Sequence, residues 1–116
     1  MNWCFTTSLG DFDLEDSDIL EVERSVNEIR IKLSSARTMS GAKDGNVNHG
    51  VISQPTLLIQ GVVKEEVEGQ EPDNNLPLDH VEVVKHTDGK LELSGYRNNK
   101  PWYVWSIEAK SFSITW

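Results

Sequence analysis

Tyr96 and Trp102 are the residues of this chain best suited to hold a ligand, and they stand at either end of the polar stretch Arg97-Asn98-Asn99-Lys100-Pro101. Folding the flanking residues back as a hairpin sets the two rings opposite each other. A tryptophan beside a tyrosine offers a large, stiff, amphipathic surface that can anchor a protein partner or stack on a sugar ring. Arg97 and Lys100 are expected to rim that surface with positive charge. A second group, Glu65, Glu66, Glu68, Glu71 and Asp73, places five carboxylates within nine residues. Such a run steers a cationic partner toward the protein from a distance.

Metal and catalytic chemistry find less support. His80, Glu82 and His86 share a parity, but at about 3.3 Å per residue an extended strand holds the two histidines about 20 Å apart, too far for one ion. His80 with Glu82 alone is an incomplete site, so no metal site is expected. The acidic run Asp11, Asp13, Glu15, Asp16 and Asp18 supplies oxygens for calcium. Counted from Asp11, however, Asp16 and Val22 occupy the places where a calcium loop of the helix–loop–helix type needs glycine and glutamate. The glycine-rich residues 34–50 match no phosphate-binding pattern, and Arg37, Lys43 and His49 within them read as parts of a connector. No GxSxG, HExxH or CxxC occurs, and Cys4 is the single cysteine. Glu92 and Glu108 face lysines Lys85 and Lys90, which suits ion pairing better than acid–base work. Neither an enzyme nor a cofactor is expected.

The elements that position these residues are strands. Leu91, Leu93 and Gly95 alternate on one side of the polar stretch, and Tyr103, Trp105, Ile107 and Ala109 on the other. Sharing a face requires Leu91 opposite Ile107, Leu93 opposite Trp105, Gly95 opposite Tyr103 and Tyr96 opposite Trp102. It also requires an odd loop, and Pro101 favours residues 97–101. The apolar parity then changes from odd to even at Phe112, Ile114 and Trp116, which predicts a bulge near Lys110 and Ser111.

Upstream, residues 18–24 and 28–35 form a hairpin with Ser25 to Glu28 as a four-residue loop, in which Leu20 meets Leu33, Val22 meets Ile31, Glu21 meets Lys32 and Glu23 meets Arg30. Asp88-Gly89 predicts a two-residue turn with positive φ at both positions. That turn sets Lys85 against Glu92, Val84 against Leu93, Val83 against Ser94 and Val81 against Tyr96. Residues 51–67 carry apolar side chains in both parities, as in a strand covered on both faces, with Gly61 as a bulge or a close approach. Residues 34–50 read as a long loop and residues 65–79 as an acidic one. Consecutive hairpins without helical periodicity predict one all-β domain over residues 1–116, an antiparallel β-sandwich or a partly closed barrel.

Length and composition are consistent with that. A chain of 116 residues with 37% hydrophobic and 26% charged side chains suits one globular domain with its own core. No apolar run reaches the roughly 20 residues of a membrane-spanning helix. One cysteine, and a beginning without the basic and apolar regions of a secretory signal, lead to the expectation of a cytoplasmic protein. The net charge of −8 is uneven: residues 1–82 hold sixteen acidic and six basic side chains, residues 83–116 three and five. That balance repels phosphate backbones and disfavours nucleic acid. The expectation is a small acidic, non-enzymatic binding protein, for example an inhibitor or immunity-type protein masking a basic protein partner. A carbohydrate-binding module using Tyr96 and Trp102 is the alternative, and a structural subunit of a larger assembly the third reading.

Overall fold

The structure is a computed structural model that describes residues 2–5, 12–38, 51–69, 76–97 and 102–116, with the backbone alone at residues 2–5, 38 and 51. Its strands are β1 (Asn2–Phe5), β2 (Phe12–Asp13), β3 (Ser17–Ser25), β4 (Glu28–Leu33), β5 (Ser35–Thr38), β6 (Val51–Ser53), β7 (Thr56–Glu68), β8 (His80–Thr87), β9 (Lys90–Tyr96) and β10 (Trp102–Thr115). Every pairing is antiparallel, and no helix occurs among the described residues.

The large sheet runs β1-β10-β7-β4-β3-β8-β9 and returns from β9 to β10. Six strands therefore form a ring, with β1 appended to the far end of β10. The ring is thinnest between β3 and β8, which pair only at Ser17 with Val81 and Asp18 with His80. Such a partly closed barrel leaves few free strand edges. A second sheet, β2-β5-β6, is hydrogen-bonded separately but packs Phe12 and Ala36 into the same core.

Alternation places the core inside. Tyr103, Trp105, Ile107 and Ala109 of β10 are buried, then Phe112 and Ile114, against Leu91 and Leu93 of β9, Ile29, Ile31 and Leu33 of β4, and Leu57 and Ile59 of β7. The parity change in β10 falls at Lys110 and Ser111, where two successive side chains stay out of the core. The matching register shift lies where Glu108 pairs with Lys64 but Ala109 pairs with Val62. Gly61 (φ 67°) sits beside it, and a Cβ there would stand 2.9 Å from Lys110 Cβ, so both a bulge and a close approach need glycine. Above this point β7 is covered on one face only, with Val63 exposed, where cover on both faces was expected.

The β9–β10 register is the expected one at every pair, from Glu108 with Lys90 to Trp102 with Tyr96, with β9 ending before residue 97 and β10 starting after residue 101. The β3–β4 hairpin holds Val22–Ile31, Glu21–Lys32 and Glu23–Arg30, but Ile19 and not Leu20 meets Leu33. Leu20 is the bulged residue and is exposed, because Asp18 and Ile19 take backbone partners elsewhere: Ile19 N–H donates to Asp79 O, and Ser34 N–H donates to Asp18 O. The Asp88-Gly89 turn carries positive φ at Gly89 (73°) alone, not at both positions, and the β3–β4 loop is shorter than the expected residues 25–28, since Ser25 pairs with Glu28 and Asn27 takes a φ of 60°.

Two loop boundaries also differ from expectation. Residues 35–38 are a strand, since Ser35, Ala36 and Arg37 pair with Ser53, Ile52 and Val51; residues 39–50 lie outside the described residues. The acidic segment begins as strand, because β7 continues to Glu68 by pairing with Val104, and residues 70–75 lie outside the described residues.

The β8–β9 register matches Lys85–Glu92, Val84–Leu93 and Val83–Ser94, then shifts at Glu82. Below the shift Val81 meets Gly95 and His80 meets Tyr96, whereas Val81 was expected opposite Tyr96. Gly95 permits this: a Cβ there would lie 1.8 Å from the His80 carbonyl oxygen. The bulge turns Val81 into the core and leaves His80 on the outer face beside Tyr96.

Candidate functional site

Cross-strand partners share a face, so the registers define rows on the outside of the barrel. One row reads Asp18 (β3), His80 (β8), Tyr96 (β9), Trp102 (β10). Neighbouring strands lie about 4.8 Å apart, so the row spans about 15 Å. The next reads Val83, Ser94, Val104, Glu68, and the third Lys85, Glu92, Ser106, Glu66. Together they form one patch with aromatic and aliphatic groups in the middle and carboxylates at both sides.

Trp102 is 44% exposed, the largest exposed ring among the described residues, and Tyr96 is half-buried against it. Their centroids are 5.2 Å apart at 84°, an edge-to-face contact that holds the indole in place. Ser94 is buried between half-buried Val83 and Val104, so the patch is well packed beneath. β1 pairs with residues 112–115 of β10, well along the strand from the patch.

His80 joins the aromatic row to the acids. Its Nδ1 lies 2.8 Å from Asp18 Oδ1 and its Nε2 3.1 Å from Glu82 Oε1. The hydrogen bond with Asp18 raises its pKa above the usual imidazole value; partial burial works against this, and the charges of Asp18 and Glu82 add to it. Asp16 stands close to the same ring, its ligand oxygen and those of His80 and Glu82 all within 4.8 Å of one another. Asp16 is held there by its backbone N–H, which donates to Val81 O at 2.7 Å, and by a left-handed φ of 63°.

The inner face carries a second polar constellation that the sequence reading missed. Arg24 pairs with buried Ile29 and Glu65 with buried Ile107, so both point inward. Glu65 Oε2 accepts from Trp105 Nε1 at 2.7 Å, and both its oxygens accept from Arg24 Nη1 at 2.7 Å. The guanidinium stands 5.5 Å from the Trp105 ring centre, a cation–π distance. Arg97 likewise lies 4.8 Å from the centre of the buried Tyr103 ring.

The expected site residues thus divide. Tyr96 and Trp102 come together as expected, and Glu66 and Glu68 share their face. Glu66 is exposed and bonded to Lys64 Nζ at 2.9 Å, and that hydrogen bond lowers its pKa. Glu65 does not face solvent as a steering group; it is committed to Trp105 and Arg24. Arg97 does not rim the aromatic pair, because one residue beyond Tyr96 the alternation turns it to Tyr103. Lys100, Glu71 and Asp73 lie outside the described residues, as do Lys43 and His49.

The rim that is seen is acidic: Asp18 and Glu82 on one side, Glu68 on the other. His80 and His86 do not share a face either, since the Glu82 bulge turns His80 outward while His86, opposite buried Leu91, keeps the inner face, its ring centre 5.1 Å from that of Phe112. Asp18 and His80 are 62 positions apart in the chain, and only the β3–β8 contact unites them. The one available signal for Arg24 was its shared parity with Val22.

Comparison of the chain with protein-family models, with curated proteins and with solved structures returns no match. Among the described residues no helix is long and apolar enough to cross a membrane.

Proposed function

We propose that this protein binds a cationic segment of a protein partner, without catalysis, on the outer face built from Trp102, Tyr96, His80 and Asp18. The single observation that carries the reading is the cross-strand row itself: an exposed indole braced by a tyrosine, continued by an imidazole and a carboxylate. A lysine or arginine laid along the row meets the indole face, a favourable cation–π partner, and then Asp18 and Glu82. Glu66 and Glu68 flank the same face, and the net charge of −8 draws a basic partner in. In its most specific form the function is that of a cytoplasmic inhibitor or immunity-type protein masking a basic enzyme surface. The edge-to-face geometry favours this over the carbohydrate module, since rings at 84° offer no common flat platform for a sugar.

Fluorescence anisotropy with a labelled lysine- and arginine-rich peptide, against an acidic peptide of equal length, tests the proposal. The expected result is saturable binding to the basic peptide alone, an association rate that falls steeply with added salt, and loss of binding in Trp102→Ala. An association rate insensitive to salt sinks the steering mechanism. Binding of a glycan that Trp102→Ala abolishes, with no peptide binding, transfers the face to the carbohydrate reading. Ordered self-association in light scattering, without either ligand, favours the structural subunit.

A further inference from the structure

We infer that Asp16, His80 and Glu82 form a binding site for a divalent transition ion of the zinc class. Sequence spacing gives two ligands, His80 and Glu82; the fold supplies a third by bringing Asp16 across from the segment before β3. One nitrogen and two carboxylate oxygens are a donor set suited to zinc, whereas calcium and magnesium take oxygen alone.

The geometry fits one ion. Donors held at about 2.0–2.2 Å from a tetrahedral zinc ion stand about 3.3–3.6 Å from one another. The three donor atoms here lie within 4.8 Å of one another, and rotation of the exposed Asp16 closes the difference. Three protein donors leave a fourth position for water or for a donor of a partner.

The orientation of His80 is the stronger argument. Asp18 Oδ1, 2.8 Å from Nδ1, holds the ring so that Nε2 faces Glu82 Oε1, 3.1 Å away. Without an ion, a proton on Nε2 satisfies Glu82; a metal ion takes that proton's place. A carboxylate behind the far ring nitrogen is the arrangement that orients metal-bound imidazoles. Arg37 reaches Asp16 at 3.9 Å, but its main partner is Asp13 at 2.7 Å. The site shares His80, Glu82 and Asp18 with the proposed peptide face, but it forms from one chain, so zinc titration without peptide tests it separately.

Isothermal titration calorimetry with zinc chloride, on the full chain in a non-chelating buffer, tests the inference. The expected result is one equivalent of zinc, bound at least tenfold more weakly by Glu82→Gln and by Asp16→Asn, and not bound by His80→Ala. Asp18→Asn keeps the stoichiometry and weakens binding by about 10–100-fold, the range for a residue that orients a ligand. Circular dichroism confirms that each variant folds; should His80→Ala fail to fold, the near-isosteric Glu82→Gln carries the test. Absence of saturable zinc binding by the wild type overturns the inference. Affinity unchanged in both Glu82→Gln and Asp16→Asn overturns it equally, and places the zinc elsewhere.

Discussion

Trp102 and Trp105 stand three positions apart on β10 and live in opposite worlds. Trp105 is fully buried, its Nε1–H satisfied by Glu65 and its ring faced by Arg24. Trp102 is 44% exposed, braced by Tyr96 and bordered by carboxylates. Three residues along a strand reverse the face, so one β hairpin presents one indole to the core and another to solvent. The buried ring has every polar demand met within the chain, which is the mark of a structural role. The exposed ring keeps part of its surface open in a rigid setting, and the proposed partner surface rests on that.

The largest expected effect that would break this comparison is on stability. Trp105→Ala removes a core ring and leaves Glu65 and Arg24 facing a cavity, so a loss of about 3–5 kcal/mol is expected in urea unfolding. A loss below about 1 kcal/mol would show that the interior tolerates the cavity and that the two tryptophans do not differ as described. Gly95→Ala follows. Its Cβ would meet the His80 carbonyl oxygen at 1.8 Å, a backbone atom that cannot swing aside. Straightening the β8 bulge then costs about 3 kcal/mol by strain, and the outer row loses its register with it. Peptide binding and stability should fall together in this variant; normal binding at full stability would mean that the Glu82 bulge does not position His80.

Glu65→Gln sharpens the comparison at smaller scale. Glutamine can still accept from Trp105 Nε1 but cannot neutralise Arg24. The ion pair keeps 28% of the arginine and 25% of the glutamate side chain exposed, so solvent screens part of it. A loss of about 1–2 kcal/mol is expected, within the range for charge-assisted hydrogen bonds after that discount. The readout is the unfolding midpoint. Peptide binding by the folded protein should be unaffected, since Glu65 faces inward; a binding defect at unchanged stability would return Glu65 to the steering group.

What was legible in the sequence was the local pairing. The β9–β10 register followed from matching two alternating rows across an odd loop, and most of the β3–β4 and β8–β9 registers followed from opposite-charge and apolar pairs. What was not legible were two of the three places where a strand changes register; the third, near Lys110 and Ser111, shows as the parity change in β10. The bulges at Leu20 and Glu82 each reverse the facing of the residues beyond them, and neither breaks the local alternation enough to announce itself. Glu82 alone moved Val81 inward, His80 outward and His86 away from His80. The site was half legible for the same reason. Tyr96 and Trp102 depend on one short hairpin, whereas Asp18 and Asp16 reach His80 through a contact between β3 and β8 that no local pattern encodes. Glu65 misled because a run of acids reads as loop, while pairing with β10 decides that the first of them points into the barrel.

The smallest expected effect is Trp102→Ala on stability. An indole almost half exposed gives up little core burial, and its removal leaves Tyr96 somewhat more open, so about 1 kcal/mol or less is expected at the unfolding midpoint. The same ring should dominate how the native protein responds to a quencher in water. Acrylamide reaches exposed indoles and not enclosed ones, so Trp102→Phe should lower the quenching slope of the folded protein, while Trp105→Phe should leave it unchanged or raise it. An unchanged slope in Trp102→Phe would mean that the indole is covered in solution. The outer row would then be an interface already occupied, by a second copy or by residues of the chain outside those described, and the peptide would have no ring to meet.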